Sequence, residues 1–223
     1  NVLIDTGLPI HYTYLKECLA EMKLAPRDIH LIILTHEHFD HIGGAIFFTD
    51  TSIIAAHRLA ANKMMMGDEF VLMNKYFDQP VKFFSPDIWL EADTTIELGN
   101  YTLRTIHTPG HCSGCICLYE PNQGLLFTGD TVLAGGVISG IYTSGSISDY
   151  MNSLNRLREL RIEAFYPSHG RMSTTPLEDL DTALERSRSL MLDTRVLFNT
   201  LSTTETYNRL LSSAKKNPNP WKR

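Results

Sequence analysis

Short apolar runs recur along the chain, each stopped by glycine, proline or a polar cluster, and they alternate with stretches of helical spacing. Val2-Leu3-Ile4 runs into Asp5-Thr6-Gly7 and reads as a strand followed by a turn. Leu31-Ile32-Ile33-Leu34 reads as a buried strand, and Ile53-Ile54-Ala55-Ala56 as another. Residues 94–98 and 101–106 alternate about Gly99-Asn100, which predicts a β-hairpin. Residues 115–119 and 125–128 predict a second hairpin about Pro121-Asn122-Gln123-Gly124, and Ala164-Phe165-Tyr166 a short strand. Residues 11–23 carry Tyr14, Leu15, Leu19 and Met22 at the spacing of an amphipathic helix that Pro26 ends. Residues 57–77 are helix-forming and rich in methionine. Residues 149–160 place Tyr150, Leu154 and Leu157 on one helical face, with Ser148 as the N-cap. From Leu177 onward the pattern is helical, with a break near Ser202-Thr203-Thr204. Residues 131–147, rich in Gly and Ser, predict a loop. This mixed order predicts an α/β domain whose helices cover the outside of sheet layers.

Composition narrows the class. A chain of 223 residues, 43% hydrophobic and 20% charged, is enough for one soluble domain with a real core. We take 1–223 as that single domain, with C-terminal helices at about 176–213 packed on it or appended to it. The net charge of -5 argues against a nucleic-acid partner, because phosphate contacts need clustered Lys and Arg. The basic residues Lys215, Lys216, Lys222 and Arg223 read as a solvated tail. No run of about 18 apolar residues exists, so no membrane span is expected. Cys112, Cys115 and Cys117 are crowded together and Cys18 is remote. They fit neither a disulfide framework nor a zinc ribbon, and read as small buried residues of a reducing, cytoplasmic compartment. The sequence opens at Asn1, inside a strand, so upstream residues, a removed signal among them, are compatible with it.

The chemistry is concentrated in Thr35-His36-Glu37-His38-Phe39-Asp40-His41, directly after a strand. Alternation puts His36 and His38 on the same side, and a turn brings Asp40 and His41 toward the same point. Gly43-Gly44 permits the tight turn that follows. Imidazole and carboxylate are suitable zinc ligands. Three more segments end a strand with His or Asp beside Gly: Thr108-Pro109-Gly110-His111, Thr128-Gly129-Asp130-Thr131 and Pro167-Ser168-His169-Gly170. Together these residues suffice for two zinc ions with an open position for water.

These segments resemble, in order, the metallo-β-lactamase superfamily of thioesterases, lactonases, β-lactamases and some nucleases; the match runs from Asp5 to His169, about three quarters of the chain. The resemblance implies an αββα sandwich of two mixed sheets between outer helices. It implies one zinc held by His36, His38 and His111, another by Asp40, His41 and His169, and Asp130 bridging them. Fe or Mn could replace zinc in such a site. Asp5 matches the family's early Asp, which supports the site without binding metal; read alone, it is equally a turn-forming Asp before Gly. Such members have two or three strands before the segment matched by residues 2–7. Their absence here predicts an exposed sheet edge unless another segment or chain, including a second copy in a homo-oligomer, covers it.

The implied reaction is attack by a metal-bridging hydroxide on an ester, lactone or thioester, with Asp40 or Asp130 accepting or relaying a proton. Cys112 is then a packing residue and not a nucleophile. Loop residues Val132, Leu133, Val137, Ile138 and Ile141 predict an apolar wall for an apolar small-molecule substrate. Tyr142 is either an oxyanion donor or a packed aromatic. The segment from Met64-Met65-Met66 through Phe70, Met73 and Tyr76-Phe77 is either a lid or interface, or a buried helix face. Gly135-Gly136-Val137-Ile138-Ser139 lacks the Arg of the glyoxalase II signature, which argues against glutathione thioesters. Competing readings on the same fold are a β-lactamase, a phosphodiesterase or nuclease, and a mononuclear iron sulfur dioxygenase. Flavo-diiron proteins place Glu where His38 stands. A non-catalytic module would need a damaged ligand set.

Overall fold

The residues of Leu31–Leu34 are all apolar because both faces of their strand are covered, one by helices and one by a second sheet. In the computed structural model, which describes residues 1–77 and 84–200 (for 195–200 the backbone alone), nine strands form two sheets among the described residues. The first sheet runs β1 (Val2–Ile4), β2 (Leu31–Leu34), β3 (Ile53–His57), β4 (Ile88–Leu90), all parallel. The second runs β5 (Thr95–Glu97), β6 (Thr102–His107), β7 (Ile116–Glu120), β8 (Leu125–Gly129), β9 (Ala164–Pro167). It is antiparallel except for the parallel β8–β9 pair.

Side-chain alternation builds four layers. Ile33, Ala55, Leu103, Ile116 and Leu118 meet between the sheets. Ile32, Leu34, Ile54 and Ala56 turn outward to pack with Leu19 of α1 (Tyr12–Glu21) and with Ala60, Ala61 and Met64 of α3 (Arg58–Met66). Cys117, Tyr119, Leu126 and Phe165 turn outward from the second sheet. They meet Tyr150, Leu154 and Leu157 of α4 (Ile147–Arg158) and Leu180 and Leu184 of α5 (Pro176–Thr200). A one-turn helix, α2 (Phe39–Ile42), sits at the C-terminal end of β2. This is the expected αββα sandwich, except that the first sheet is purely parallel over the described residues.

Several boundaries differ from expectation. The helix expected over 57–77 stops at Met66, because Gly67 takes the left-handed conformation (φ 63°) and its N–H caps Lys63 and Met64. Asp68 then accepts from the N–H groups of Phe70 and Val71, holding a turn. The methionine segment divides accordingly: Met64, Leu72 and Met73 are buried, while Met65, Met66 and Phe70 face solvent. Helix α4 begins before Ser148, and its N-cap is Ser146, whose Oγ accepts from Asp149 N–H at 3.3 Å. Helix α1 ends before Pro26, which opens a 3-10 turn. The break expected near residues 202–204 lies outside the described residues. Among the described residues no helix is long and apolar enough to cross a membrane.

Candidate metal centre

The four segments rich in His and Asp all lie at the same end of the sandwich, where β2, β8 and β9 stop and where the loop after β6 turns back into β7. All seven predicted ligands come together there. His36 Nε2 is 3.1 Å from His38 Nδ1, which is 2.9 Å from His111 Nε2. On the other side, His169 Nε2 lies 3.3 Å from His41 Nε2 and 3.4 Å from Asp40 Oδ2. Asp130 stands between: its Oδ2 is 3.7 Å from His111 Nε2, and its Oδ1 is 3.6 Å from His41 Nε2 and 3.5 Å from His169 Nε2. Three groupings therefore have converging ligand atoms: His36, His38 and His111; His36, His41 and Asp130; and Asp40, His41 and His169.

The donor set fits cations. Zn–N bonds near 2.0–2.1 Å at tetrahedral angles put ligand atoms roughly 3.4 Å apart, close to the separations found. Asp130 Oδ1 is buried and lacks any hydrogen-bond partner. Such an atom is costly to bury unless a positive charge faces it. Burial, then the neighbouring imidazoles, pushes His36 and His38 well below the usual histidine range, and burial lowers His111 as well. Those three rings are neutral and free to donate lone pairs. His41 differs. Burial opposes its charge, but the Asp5, Asp130 and Asp40 carboxylates hold its pKa up to about 10. A hydrogen bond to Asp40 raises His169. Burial disfavours the Asp40 carboxylate, yet the His169 hydrogen bond and the His41 charge hold it below the ordinary range.

The far nitrogens of three rings are anchored, which fixes ring orientation. Asp5 is central. Its Oδ2 pairs with His41 Nδ1 at 2.8 Å and accepts from Thr35 Oγ1 at 2.8 Å, and that hydroxyl lies 3.0 Å from His36 Nδ1. Asp5 also accepts from Thr35 N–H at 2.8 Å and from Ser168 Oγ at 2.9 Å. So Asp5 joins the first segment to the ligand segment and to the turn before His169, and its turn-forming role and its supporting role coincide. His111 Nδ1 lies 3.0 Å from the Gly140 carbonyl and 2.9 Å from Ser139 Oγ. Two glycines permit the close approaches. A Cβ at Gly44 would stand 2.4 Å from the Thr6 carbonyl oxygen, and one at Gly110 2.3 Å from Tyr150 Cα.

Tyr142 packs its ring edge-on against His38 and His111, with centroids 5.0 Å from each. Burial, then the Asp130 and Asp40 charges, raises its hydroxyl, so it keeps its proton at neutral pH. The expected apolar wall is partly core. Val132 is buried, and Ile138 and Ile141 pack, beneath α4 and α5. The loop meets the centre through Ser139, Gly140 and Tyr142 instead. Burial pushes the Cys112 thiol well up, as fits a packing residue. Beside Asp40, His41 and His169 a cavity of about 750 Å³ opens along the side of β1 left unpaired among the described residues, walled by Leu3, Ile4, Leu15 and Phe127; this is the exposed sheet edge expected from the sequence, and it reaches the centre only at its end. Thr35, Ser139, Ser168, Glu37 and Lys63 were not anticipated from sequence. Of these, Thr35 carries a local signal, as a hydroxyl directly before the ligand run.

The family model described as the metallo-beta-lactamase superfamily matches residues 1–169. The chain belongs to this superfamily. It is 32% identical over 195 residues to a Homo sapiens protein named acyl-coenzyme A thioesterase MBLAC2, covering 76% of this chain and 68% of that one. It is 33% identical to a protein of Methanocaldococcus jannaschii named a probable metallo-hydrolase, covering 76% and 82%. A metallo-beta-lactamase family protein of Thermus thermophilus superposes with a TM-score of 0.72 at 23% identity, over 89% of this chain and 73% of that one; this shows the shared fold. As a metallo-beta-lactamase superfamily member with hydrolase relatives, the chain is an enzyme of the metallo-hydrolase class.

Proposed function

We propose that this enzyme is a two-zinc hydrolase of carboxylic esters, lactones or thioesters, with acyl thioesters the first substrates to test. The observation that carries the reading is Asp130, whose two oxygens face different triads of ligands across one shared space. His36, His38 and His111 would hold one zinc, and Asp40, His41 and His169 the other, with Asp130 shared. When bound, the ions would supply Lewis acidity, which would bring the pKa of metal-held water from 15.7 toward roughly 7 and polarise a scissile carbonyl. We take Asp40, a carboxylate of the second ligand group, as the residue that would accept and relay the proton released by the attacking water. The protonated Tyr142 hydroxyl is a candidate donor to the developing oxyanion. The thioester emphasis draws on the name of the relatives at 32% identity.

The test is metal analysis by mass spectrometry on untagged protein, then turnover of acyl-coenzyme A thioesters, aryl esters and lactones, with nitrocefin and bis-p-nitrophenyl phosphate alongside. About two zinc per chain are expected, with ester or thioester cleavage that a chelator abolishes and zinc restores. A metal-replete chain that cleaves none of these acyl substrates overturns the assignment. Turnover confined to nitrocefin or to the phosphodiester reassigns it. Iron as the dominant native metal revives the dioxygenase class.

A further inference from the structure

One charged pair, a buried Glu37 and a half-buried Lys63, lies against the centre and takes no part in the proposed chemistry. Glu37 stands between His36 and His38 in sequence, so alternation turns its side chain to the opposite side. There it is fully buried. Its Oε1 meets Lys63 Nζ from α3 and accepts from Ser144 Oγ at 3.2 Å. Its Oε2 accepts from Cys112 Sγ at 3.1 Å. An ammonium has three donors and no acceptor. Lys63 Nζ finds three acceptors here: Glu37 Oε1, Ser113 Oγ, and Ser144 Oγ at 3.1 Å. Ser144 Oγ also accepts from Ser113 N–H at 3.2 Å. The chain is closed tightly over the pair: a Cβ at Gly114 would stand 2.2 Å from Glu37 Oε2.

We infer that Glu37 and Lys63 form a positioning pair that locks three segments in one mutual arrangement: the His36–His38 segment, the turn after His111 and the end of the Tyr142 loop. Two of these carry the first triad of ligands, and the third carries the aromatic ring packed on it. Burying the Glu37 charge against a half-buried Lys63 gives little net stability, because desolvation offsets their attraction, and an apolar pair of similar volume serves folding as well. What an apolar pair lacks is direction. The partners of Glu37 and Lys63 lie in two other segments, Cys112 and Ser113 in the turn after His111 and Ser144 at the end of the Tyr142 loop, and the hydrogen bonds fix the angles between them. The pair thus sets the placement of His36, His38 and His111 in advance of metal, and with it the affinity of the centre. This rests on the two-zinc reading, though not on any substrate.

The test uses the double variant Glu37→Gln/Lys63→Met, which removes both charges and strands neither, and the milder Ser144→Ala. Zinc affinity is measured by competition with a chromophoric chelator. Ligand geometry is read from the visible spectrum of the cobalt(II) form. Folding is read from urea unfolding of chelated protein. The double variant is expected to keep its urea midpoint while losing about 10- to 100-fold in zinc affinity, the usual effect of removing support behind ligands. Its cobalt spectrum is expected to shift. Ser144→Ala is expected to lose affinity by a smaller factor with the same spectral trend. Wild-type affinity and an unchanged spectrum in the folded double variant overturn the inference. If that variant does not fold, the same two results in Ser144→Ala overturn it. A wild-type chain that binds no zinc overturns the centre itself, and the positioning role with it.

Discussion

Asp5 shows how much a single side chain does for this centre. Its φ of 57° is one that non-glycine residues adopt rarely, and Asp and Asn tolerate it best. The conformation is held because the carboxylate collects the Thr35, Ser168 and His41 donors at once. Through Thr35 Oγ1 it reaches His36, and directly it reaches His41, so it orients a ring in each triad. Asp5→Asn keeps the shape and the left-handed tolerance but exchanges one charged acceptor for an amide. We predict a loss of about 10- to 100-fold in zinc affinity with little change in fold, checked by chelator competition and circular dichroism. Wild-type affinity in that variant removes Asp5 from the support of the centre. The seven inward-facing residues were legible in the sequence, because residue type and local spacing carry the signal for them. Glu37 and Lys63 were not. They are 26 positions apart, and a glutamate among ligands has no mark of facing away until its partner on another helix is placed.

At the level of elements, the chemistry sits at strand ends, and so does a second imidazole pair. His57 ends β3 and His107 ends β6; their rings stack with centroids 4.0 Å apart and planes 15° apart. Burial, then His107, lowers His57 to about 4, and burial also lowers His107. In the unfolded chain a histidine takes its proton near pH 6.5. The folded state therefore binds fewer protons than the unfolded state between about pH 6.5 and 4, and stability present above that window is lost as pH falls through it. We predict that His57 contributes on the order of 1–3 kcal/mol to this acid destabilisation in chelated protein. The variant His57→Asn keeps a side-chain acceptor for the Leu59 N–H at the start of α3. It should lose correspondingly less stability between about pH 7 and pH 4.5 in urea titrations; an equal loss in both proteins contradicts the shift. Most strands were legible because their apolar runs are bounded by turn residues. Strand β4 escaped: it is three residues long, and two of them, Ile88 and Trp89, are exposed. Helix α3 is shorter than its sequence suggests: the composition around Gly67 stays helix-forming, and only the left-handed cap and the Asp68 turn end it.

For the whole molecule, what matters is that the centre draws on both sheets. His36 and His38, with Asp40 and His41 of α2, follow β2 of the first sheet; His111, Asp130 and His169 follow strands of the second. Metal held by all seven therefore ties the two sheets together at one end, and binding free energy becomes folding free energy of the entire sandwich. Free zinc at about 100 times its dissociation constant would stabilise the fold by about 2.7 kcal/mol. For a chain of this length that corresponds to a rise in Tm of roughly 5–10 °C over chelated protein. The same binding must displace protons. With its pKa held up to about 10, the His41 ring is protonated in the metal-free chain throughout the neutral range, and it must give up that proton to bind through Nε2. Each proton displaced makes apparent affinity climb about tenfold per pH unit below the pKa of the group that loses it. Between about pH 6.5 and 8, zinc affinity is thus expected to rise at least that steeply, and calorimetry in buffers of different ionisation heat is expected to count at least one proton released per chain. Affinity that is flat with pH, with no proton released, would mean that His41 is not a ligand, and the second triad would then be incomplete.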